Sequence, residues 1–280
     1  MSELIVPSEE KKEHPSFSII IPTWEDPSAL AGTLLNLIYQ KCGIQAATDG
    51  MLDIEREVIV VGDGREEAVE QVVIAANETA RELGQRVRVW YGALKEHCGN
   101  GNLPRRMGLK RATKDWVIFL DTGTGVSYNC FSVLAEAIER YPDLRLISWD
   151  MVSILQPAPI VSCARVVLEC DRSKGLPYVI PGNAAAIKRE DAQKVEWPNV
   201  RESDWAYFSQ LWASMFGAPG KEDQAEIDRA VGLIPWTMTI AYAYHKDIRT
   251  RAPNNLKTYK SSGYDKGWEP GMGKDANDRS

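Results

Sequence analysis

The first half of the sequence alternates short apolar runs with longer segments in which apolar residues recur every three or four positions. A continuous apolar run bounded by turn residues predicts a buried strand, and the longer spacing predicts a helix with one buried face. The predicted strands are Phe17–Ile21, Glu57–Val61, Val87–Tyr91, Trp116–Leu120 and Leu144–Trp149, and the predicted helices are Ala29–Tyr39, Glu66–Leu83, Leu103–Ala112 and a segment through Phe131 and Ile138.

This alternation of strands and helices predicts an α/β fold with a Rossmann-like, mostly parallel sheet flanked by helices on both faces. In such sheets, ligands bind outside the carboxyl ends of the strands. Three polar clusters stand directly after predicted strands, at Thr23–Asp26, Gly62–Gly64 and Asp121–Gly123. Because the strands are parallel, these clusters converge on one edge of the sheet, where we predict a ligand site.

The second half of the sequence is less regular. Strand patterns occur within Ile160–Glu169, Tyr178–Ile187 and Ile234–Tyr244, and Ser203–Phe216 predicts a helix with aromatic residues on one face. From Lys246 onward the chain is polar and rich in Gly, Lys and Asn, so we expect a flexible tail or a lid there.

Composition and charge narrow the class of protein. The 280 residues are 44% hydrophobic and 26% charged, which is enough for one sizeable core. The net charge of -6 argues against broad binding to nucleic acid or anionic membrane. No apolar run approaches the ~20 residues that cross a bilayer, and Met1–Pro15 lacks a signal-peptide pattern, so we expect a cytoplasmic protein. The five scattered cysteines indicate free thiols.

Four segments resemble family 2 glycosyltransferases of the GT-A fold, and the resemblance covers Phe17–His245. The segment FSIIIPTWEDPSALAGTLLNLI resembles the family's first strand, Pro-Thr turn and helix, and EVIVVGDGREE resembles its second strand with an Asp-Gly turn. The segment GNGNLPRRMGLKRATKDWVIFLDTGTG resembles a Gly-rich stretch, an Ala-Arg-Asn motif and the metal-motif strand, and RESDWAYFSQLW resembles a later acidic motif followed by Trp. Each motif is weak alone, but all four stand in the family's order.

The resemblance implies a GT-A domain over residues 17–245, divided into a nucleotide-binding half at 17–125 and an acceptor half at 126–245. It leaves a polar N-terminal extension at 1–16 and a flexible tail or lid at 246–280. The implied activity is hexosyltransferase-like: a sugar passes from a nucleotide-sugar donor of UDP, GDP or TDP type to an acceptor hydroxyl, with inversion at the anomeric carbon.

The resemblance also assigns residues to the donor site. Asp63 would accept a hydrogen bond from the nucleotide base, and Pro22, Thr23 and Glu25 would shape the base and ribose pocket. Arg105 matches the arginine of the Ala-Arg-Asn motif, which reads Pro-Arg-Arg in this chain, and would lie near the nucleotide or its phosphates. The structural alternatives are an aspartate that closes a turn at Asp63 and a solvated helix residue at Arg105.

The metal motif departs from the family pattern. Asp121 matches the first residue of the Asp-x-Asp motif and would contact the donor, but Gly123 replaces the second aspartate. Mn²⁺ and Mg²⁺ favour oxygen ligands, and one carboxylate is a small set. The resemblance offers His245 as a second ligand, with a partly buried strand-end histidine as the structural alternative. The other route is metal-free, with basic residues from Lys246 onward offsetting the diphosphate charge.

On the acceptor side, Asp204 matches the general base of inverting members of the family. A sugar hydroxyl is a weak nucleophile, and a carboxylate within hydrogen-bond reach takes its proton as the new bond forms. The structural alternative is an aspartate that the helix dipole favours in a first helical turn, and Ser203 and Glu202 are neighbouring alternatives for the role. Trp205 would pack beside the acceptor, and Asn183 and Trp197 would shape the acceptor side.

Other classes of protein match parts of the sequence. The Asp-Thr-Gly-Thr segment at Asp121 matches the aspartic-protease signature, which needs a second copy in an all-β fold. Haloacid-dehalogenase phosphatases also place an aspartate after an apolar strand, but near the start of the domain and with a second acid two residues on. A nucleotide-sugar-binding protein without turnover is the third alternative, because the second metal aspartate is missing. The presence of Asp204 and His245 argues against it.

Overall fold

The computed structural model describes residues 14–40, 54–155, 160–164, 183–200, 203–217, 221 and 223–243, and only the backbone at 150–155, 160–164, 203–205, 224 and 233–243. The described strands are β1 (Phe17–Thr23), β2 (Arg56–Gly62), β3 (Val87–Ala93), β4 (Trp116–Phe119), β5 (Thr124–Val126), β6 (Leu146–Leu155), β7 (Ile160–Ala164), β8 (Ala185–Lys188) and β9 (Val231–Ala243). The described helices are α1 (Pro27–Ile38), α2 (Glu67–Glu82), α3 (Asn102–Arg111), α4 (Cys130–Arg140), α5 (Arg189–Ala192), α6 (Ser203–Phe216) and α7 (Gln224–Ala230). None of these helices is both long and apolar enough to span a membrane.

The strands form one sheet in the order β3-β2-β1-β4-β8-β6-β9-β5, and β7 pairs with β6 beside this path. The β3-β2-β1-β4 part is entirely parallel, as the strand-helix alternation predicted. Strand β8 is antiparallel to both β4 and β6, and β9 is parallel to β6. The predicted α/β class with a central parallel sheet is therefore confirmed, and every antiparallel pair includes a strand from the less regular second half of the chain.

Helices cover both faces of the sheet, because the inner strands are apolar on both sides. In β1, Phe17, Ile19 and Ile21 pack on one face and Ile20 on the other, and each is 0% exposed. Buried residues of α1, α2 and α4 complete the first layer, and buried residues of α3, α5, α6 and α7 complete the second. Full burial of one such side chain contributes about 1.5–3 kcal/mol to folding.

The predicted elements of the first half are present, and α6 has the predicted bounds. The largest difference is at β6, which continues to Leu155 where the sequence predicted an end at Trp149. The sequence did not predict β5, α5 and α7, which have three, four and seven residues. The remaining expected strands are present where described, but residues 165–182 lie outside the described residues, as do 1–13 and 244–280. The expected N-terminal extension and C-terminal lid therefore stay predictions.

The turn between β1 and α1 is fixed by a helix cap. The Asp26 carboxylate accepts a hydrogen bond from the Ala29 amide at 2.9 Å, and Pro27 occupies the first helical position, where no amide donor is needed. Glu25, just before the cap, has a positive φ of 49°, which is uncommon for a residue with a side chain. The chain therefore reverses sharply at the end of β1.

Helix α3 lies very close to β1, because Gly108 has no side chain. A Cβ placed at Gly108 would lie 2.5 Å from Cγ2 of Ile20, so no larger residue fits without movement. Arg105 lies one helical turn before this contact. The close approach of α3 therefore also determines the position of the Arg105 side chain at the edge of the sheet.

Replacing Gly108 by alanine is expected to lower the free energy of unfolding by about 1–3 kcal/mol, because the added methyl group meets Ile20. The matched control is Gly32→Ala in α1, where nothing lies within 4 Å of the added carbon. It is expected to raise the free energy of unfolding by about 0.5–1 kcal/mol through helix propensity. Urea unfolding measures both values, and equal effects of the two substitutions would contradict the close packing of α3 on β1.

Candidate active site

Three polar segments meet at the carboxyl edge of the parallel strands, as the sequence predicted. The Asp63 amide donates to the Thr23 carbonyl at 2.9 Å, which joins the ends of β2 and β1. The hydroxyl of Thr122, which follows β4, donates to the Pro22 carbonyl at 2.8 Å. Backbone and side-chain hydrogen bonds therefore fix the ends of β2, β1 and β4 relative to one another.

Asp63 lies at this edge, but its carboxylate is covered by a loop of the chain itself. One oxygen accepts from the Cys98 amide at 2.8 Å and the Cys98 thiol at 2.7 Å. The other accepts from the Gly99 amide at 2.9 Å and lies 3.0 Å from Nδ1 of His97. The side chain is 3% exposed, so in this structure Asp63 holds the 97–99 loop. Its predicted contact with a nucleotide base stays a prediction.

The surroundings of Asp63 favour its ionised form. Burial alone would raise the pKa of the Asp63 carboxyl, but the hydrogen bonds from Cys98, the nearby His97 and the Gly99 amide together lower it below the usual value. Burial and the Asp63 carboxylate raise the pKa of the Cys98 thiol. The thiol is therefore neutral near pH 7 and acts as a donor to the carboxylate.

An aromatic pair lies over this loop. The rings of Trp24 and His97 stack with centroids 3.7 Å apart and an interplanar angle of 20°. Gly64 makes room for the indole, since a Cβ there would lie 3.0 Å from Cζ3 of Trp24. Trp24 remains 40% exposed and offers a flat face at the strand edge. The sequence placed Trp24 in the polar cluster after the first strand, and that position was the signal that could have marked it as a site residue.

The predicted pocket residues at the end of β1 differ in their exposure. Thr23 is 4% exposed, and among the described residues its hydroxyl has no hydrogen-bond partner. Pro22 is half-buried, and its carbonyl accepts from Thr122. Glu25 is exposed, and its amide donates to the Glu66 carboxylate at 2.9 Å. A buried hydroxyl normally has a hydrogen-bond partner, so the unsatisfied hydroxyl of Thr23 is a group at this edge that a ligand could satisfy.

Arg105, Asp121 and Asn183 form a connected group at the end of β4. Nη2 of Arg105 donates to Oδ1 of Asp121 in an ion pair. Nδ2 of Asn183 donates to Oδ2 of Asp121 at 2.9 Å, and the Asp121 amide donates to Oδ1 of Asn183 at 2.8 Å. The structure therefore brings together two residues predicted for the donor side and one predicted for the acceptor side.

Trp197 lies beneath this group and not on the surface of an acceptor site. Its side chain is 1% exposed, and its indole stacks on Tyr207 with centroids 4.4 Å apart. The ring of Phe119 packs on it at 4.5 Å, and Cζ of Arg105 lies 5.2 Å from the centroid of the indole. Trp197 is thus part of the core and supports Arg105. Its predicted role in shaping the acceptor side stays a prediction.

The Asp-Thr-Gly segment forms a tight turn. The Thr124 amide donates to the Asp121 carbonyl at 3.1 Å, and Gly123, at the third position of the turn, has a φ of 85°. A type II turn requires a positive φ at that position, which favours glycine. The buried Gly123 amide donates to the Thr33 hydroxyl at 3.0 Å. Gly123 therefore has a structural function in place of a metal ligand.

The described residues do not fit the expected divalent cation. Both carboxylate oxygens of Asp121 already accept hydrogen bonds, one from a guanidinium and one from an amide. Across the described ranges, no three His, Cys, Asp or Glu residues are grouped as a metal site would need. His245, the other expected ligand, lies outside the described residues.

The predicted general base lies at the start of a described helix. Asp204 and Trp205 are in the first turn of α6, as the sequence predicted. Their side chains lie outside the described part of the structure. The roles of Asp204 toward an acceptor hydroxyl and of Trp205 beside the acceptor therefore stay predictions.

Comparisons with known proteins agree with this fold. The family described as glycosyl transferase family 2 matches residues 18–153. S. aureus TarS 1–349 in complex with UDP has a TM-score of 0.57 and 15% identity, covering 81% of this chain and 60% of that one. The same fragment with UDP-GlcNAc gives 0.57 and 16%, covering 82% and 59%. No curated protein matches the chain in sequence.

A third similar structure is the mannosyltransferase PcManGT from Pyrobaculum calidifontis in complex with GDP-Man and Mn²⁺. It has a TM-score of 0.54 and 19% identity, covering 92% of this chain and 67% of that one. The chain spans about 60% of the length of the TarS fragment. At these identities the structural similarity establishes the fold.

The fold is that of the GT-A class. Within it, residues 18–153 match the glycosyl transferase family 2 domain. The predicted resemblance to family 2 glycosyltransferases is confirmed over residues 18–153, and the protease and phosphatase interpretations are set aside. The later acidic motif at residues 201–212 lies outside the match and stays a prediction.

Replacing Asp63 by asparagine is expected to lower the free energy of unfolding by about 1–3 kcal/mol at pH 6, because a charged acceptor of several donors is lost. The lowered pKa of Asp63 sets the pH dependence. The stabilisation is complete above the unfolded-state pKa of about 3.9 and is lost as the pH falls through the lower folded-state pKa. Urea unfolding at pH 6 and pH 3 should show a smaller difference at pH 3, and a constant difference would contradict the assignment.

Replacing Gly123 by aspartate restores the Asp-x-Asp motif in sequence but is not expected to create a metal site. The positive φ costs about 1–2 kcal/mol for a residue with a side chain, and Asp121 remains paired with Arg105. The control is Gly84→Asp, at another positive-φ glycine with open space around it. Thermal unfolding with and without Mn²⁺ is the measurement. An increase in Tm caused by Mn²⁺ only in Gly123→Asp would contradict the prediction.

Proposed function

We propose that the protein is an inverting glycosyltransferase that moves a sugar from a nucleotide-sugar donor to an acceptor hydroxyl. The observation that carries the proposal is the convergence of Thr23, Asp63 and Asp121 at the carboxyl ends of three adjacent parallel strands. Ligands of open α/β sheets bind at this edge. The family 2 match over residues 18–153 supports the same assignment.

On the donor side, the base and ribose lie against the turn formed by Pro22, Thr23 and Glu25. The buried Thr23 hydroxyl gains a hydrogen-bond partner when a nucleotide binds there. Direct contact between a base and Asp63 requires the 97–99 loop to leave the carboxylate, since the loop now supplies its donors. The exposed face of Trp24 is the neighbouring surface on which a base can stack.

The chemistry follows from one proton transfer and one displacement. The Asp204 carboxylate takes the proton of the acceptor hydroxyl, and the oxygen attacks the anomeric carbon from the face opposite the diphosphate. The bond between the anomeric carbon and the diphosphate oxygen breaks, and its electron pair leaves with the nucleoside diphosphate. The acceptor gains a sugar of inverted configuration. Trp205 packs beside the acceptor. Asn183, on the acceptor side, donates a hydrogen bond to Asp121 on the donor side and so links the two sides.

The similar structures hold UDP, UDP-GlcNAc and GDP-Man, and we propose a donor of the UDP, GDP or TDP type for this chain. The divalent cation first expected at Asp121 and His245 has no step in this mechanism, because the carboxylate of Asp121 is engaged by Arg105 and Asn183. A nucleotide-sugar-binding protein without turnover is the second candidate, and the same departure from the metal motif favours it.

The test of the proposed function is binding followed by turnover. Calorimetric titration of the full chain with UDP, GDP and TDP is expected to show tight binding of one nucleotide. The matching nucleotide sugars, offered with a panel of hydroxyl acceptors, are expected to release nucleoside diphosphate and to give a product of inverted configuration by NMR. Binding of none of the three nucleotides would contradict the proposal, and binding without release would favour the non-catalytic candidate.

Replacing Asp204 by asparagine is expected to lower turnover by about 10²–10⁴-fold, because the acceptor hydroxyl loses its proton acceptor. Donor affinity should stay within a few-fold of the unmodified protein, since the role concerns the acceptor. The control is Asp143→Asn, an exposed carboxylate in the turn before β6, at the opposite edge of the sheet. Near-normal turnover of Asp204→Asn would remove the assigned base.

A further inference from the structure

The geometry points to Arg105 as the cation that replaces the divalent metal ion at the diphosphate of the donor. In this inference, which rests on the proposed function, Asp121 holds the guanidinium and the guanidinium binds the leaving diphosphate. Donor binding and transfer then proceed without a metal.

Both oxygens of the Asp121 carboxylate are already engaged. A metal-binding carboxylate directs at least one oxygen at the ion, but here Oδ1 accepts from Arg105 and Oδ2 accepts from Asn183 at 2.9 Å. A divalent ion at Oδ1 would have to displace the guanidinium or lie next to its positive charge. Like charges at contact distance repel strongly in a partly buried site. The carboxylate is therefore arranged to hold a guanidinium.

The turn that follows Asp121 is held by its own hydrogen bonds. In the Asp-x-Asp motif the third residue supplies a second carboxylate, but here Gly123 has a φ of 85° and is buried. Its amide donates to the Thr33 hydroxyl at 3.0 Å, and Thr122 donates to the Pro22 carbonyl at 2.8 Å. Both positions after Asp121 are therefore committed to holding the turn against β1 and α1.

The packing around Arg105 holds its side chain in place. The guanidinium lies over the face of the buried Trp197, with Cζ 5.2 Å from the ring centroid. Gly101 makes room for it, because a Cβ there would lie 2.6 Å from Nη1 and 3.3 Å from Cβ of Pro22. The side chain of Arg105 is only 12% exposed. A long side chain held on three sides loses little freedom when it binds a ligand, so its charge is preorganised.

The charges of Arg105 and Asp121 balance each other. A divalent ion on two carboxylates carries a net charge of zero (+2 − 2), and a guanidinium on one carboxylate also carries zero (+1 − 1). With Gly123 in place of the second aspartate, Arg105 neutralises the one carboxylate that remains, that of Asp121. A guanidinium presents several N–H donors in a plane that matches the oxygens of a phosphate. Arg105 thus has the charge and the donor geometry that a leaving diphosphate requires.

The test is calorimetric titration of the full chain with the nucleoside diphosphate it binds most tightly, in EDTA and in Mn²⁺. We expect affinities within about two-fold of each other in the two buffers. Arg105→Gln is expected to weaken binding of the diphosphate about 10- to 100-fold, the effect of losing a charged hydrogen-bond donor. The affinity for the parent nucleoside, measured by competition, should change less than two-fold. A loss of fold would weaken both ligands equally.

Three variants complete the design. Arg105→Lys keeps the charge but not the planar donors, and should give an intermediate loss. Gly101→Ala keeps Arg105 but pushes Nη1 aside, and should weaken the diphosphate selectively. The control is Arg106→Gln, on the same helix, whose guanidinium pairs with Glu196 on the surface. This variant should bind both ligands as the unmodified chain does.

Two outcomes overturn the inference in different ways. If EDTA abolishes diphosphate binding, Mn²⁺ restores it and Arg105→Gln stays within two-fold, then a metal and not Arg105 binds the diphosphate, and the proposed function survives. If the unmodified chain binds no nucleoside diphosphate in either buffer, the proposed function fails and this inference fails with it. Melting temperatures of all variants identify any loss of fold, and in that case Arg105→Lys and Gly101→Ala decide the result.

Discussion

Strand β1 is hydrogen-bonded along both edges and covered on both faces, and the geometry of the site depends on this confinement. Its register pairs Thr23 with Gly62 of β2 and Ile20 with Phe119 of β4. A buried strand with two parallel neighbours cannot slip by one residue without moving its apolar side chains to the wrong layer. The segments that follow β2 and β4 are therefore placed on either side of the end of β1, and the site inherits its spacing from the core.

Two carboxylates at this edge have different roles because they have different donors. Asp63 is buried and accepts from amides, a thiol and a histidine, so it fixes a loop. Asp121 is more exposed and accepts from Arg105 and Asn183, so it holds a cation in place. Charge alone would not have separated these roles. The separation follows from which neighbouring segment each strand end meets: the loop after β3 in the first case and α3 in the second.

The first half of the fold could be predicted because its signals are local. Apolar runs, helical spacing and turn residues after each strand determined the elements, and the parallel order placed the three polar clusters together. The short elements β5, α5 and α7 were missed because three to seven residues carry too little periodicity. The loop over Asp63 and the burial of Trp197 were missed for another reason. The loop depends on contacts between residues 34 to 36 positions apart, and Trp197 packs on Phe119, which is distant in sequence, as well as on Tyr207. No local pattern encodes the distant contacts.

Departures from the family pattern at Pro104, Arg106 and Gly123 are easier to understand together than singly. The Ala-Arg-Asn and Asp-x-Asp motifs keep only Arg105 and Asp121, and these two residues form an ion pair in the structure. If the motifs had simply decayed, there would be no physical reason for the surviving members to be packed by Trp197 and given room by Gly101.

A fixed guanidinium differs from an exchangeable ion in one respect that matters for catalysis. It is present at the same position before the donor arrives, so no ion has to be recruited or lost with the product. Its strength is limited to one positive charge, and the remainder of the leaving group's charge must be met by donors such as backbone amides or by basic residues elsewhere in the chain. A site of this kind polarises the leaving group less strongly than a divalent ion does, but it works without a supply of metal. The single positive charge of Arg105, balanced by the negative charge of Asp121, is consistent with such a site.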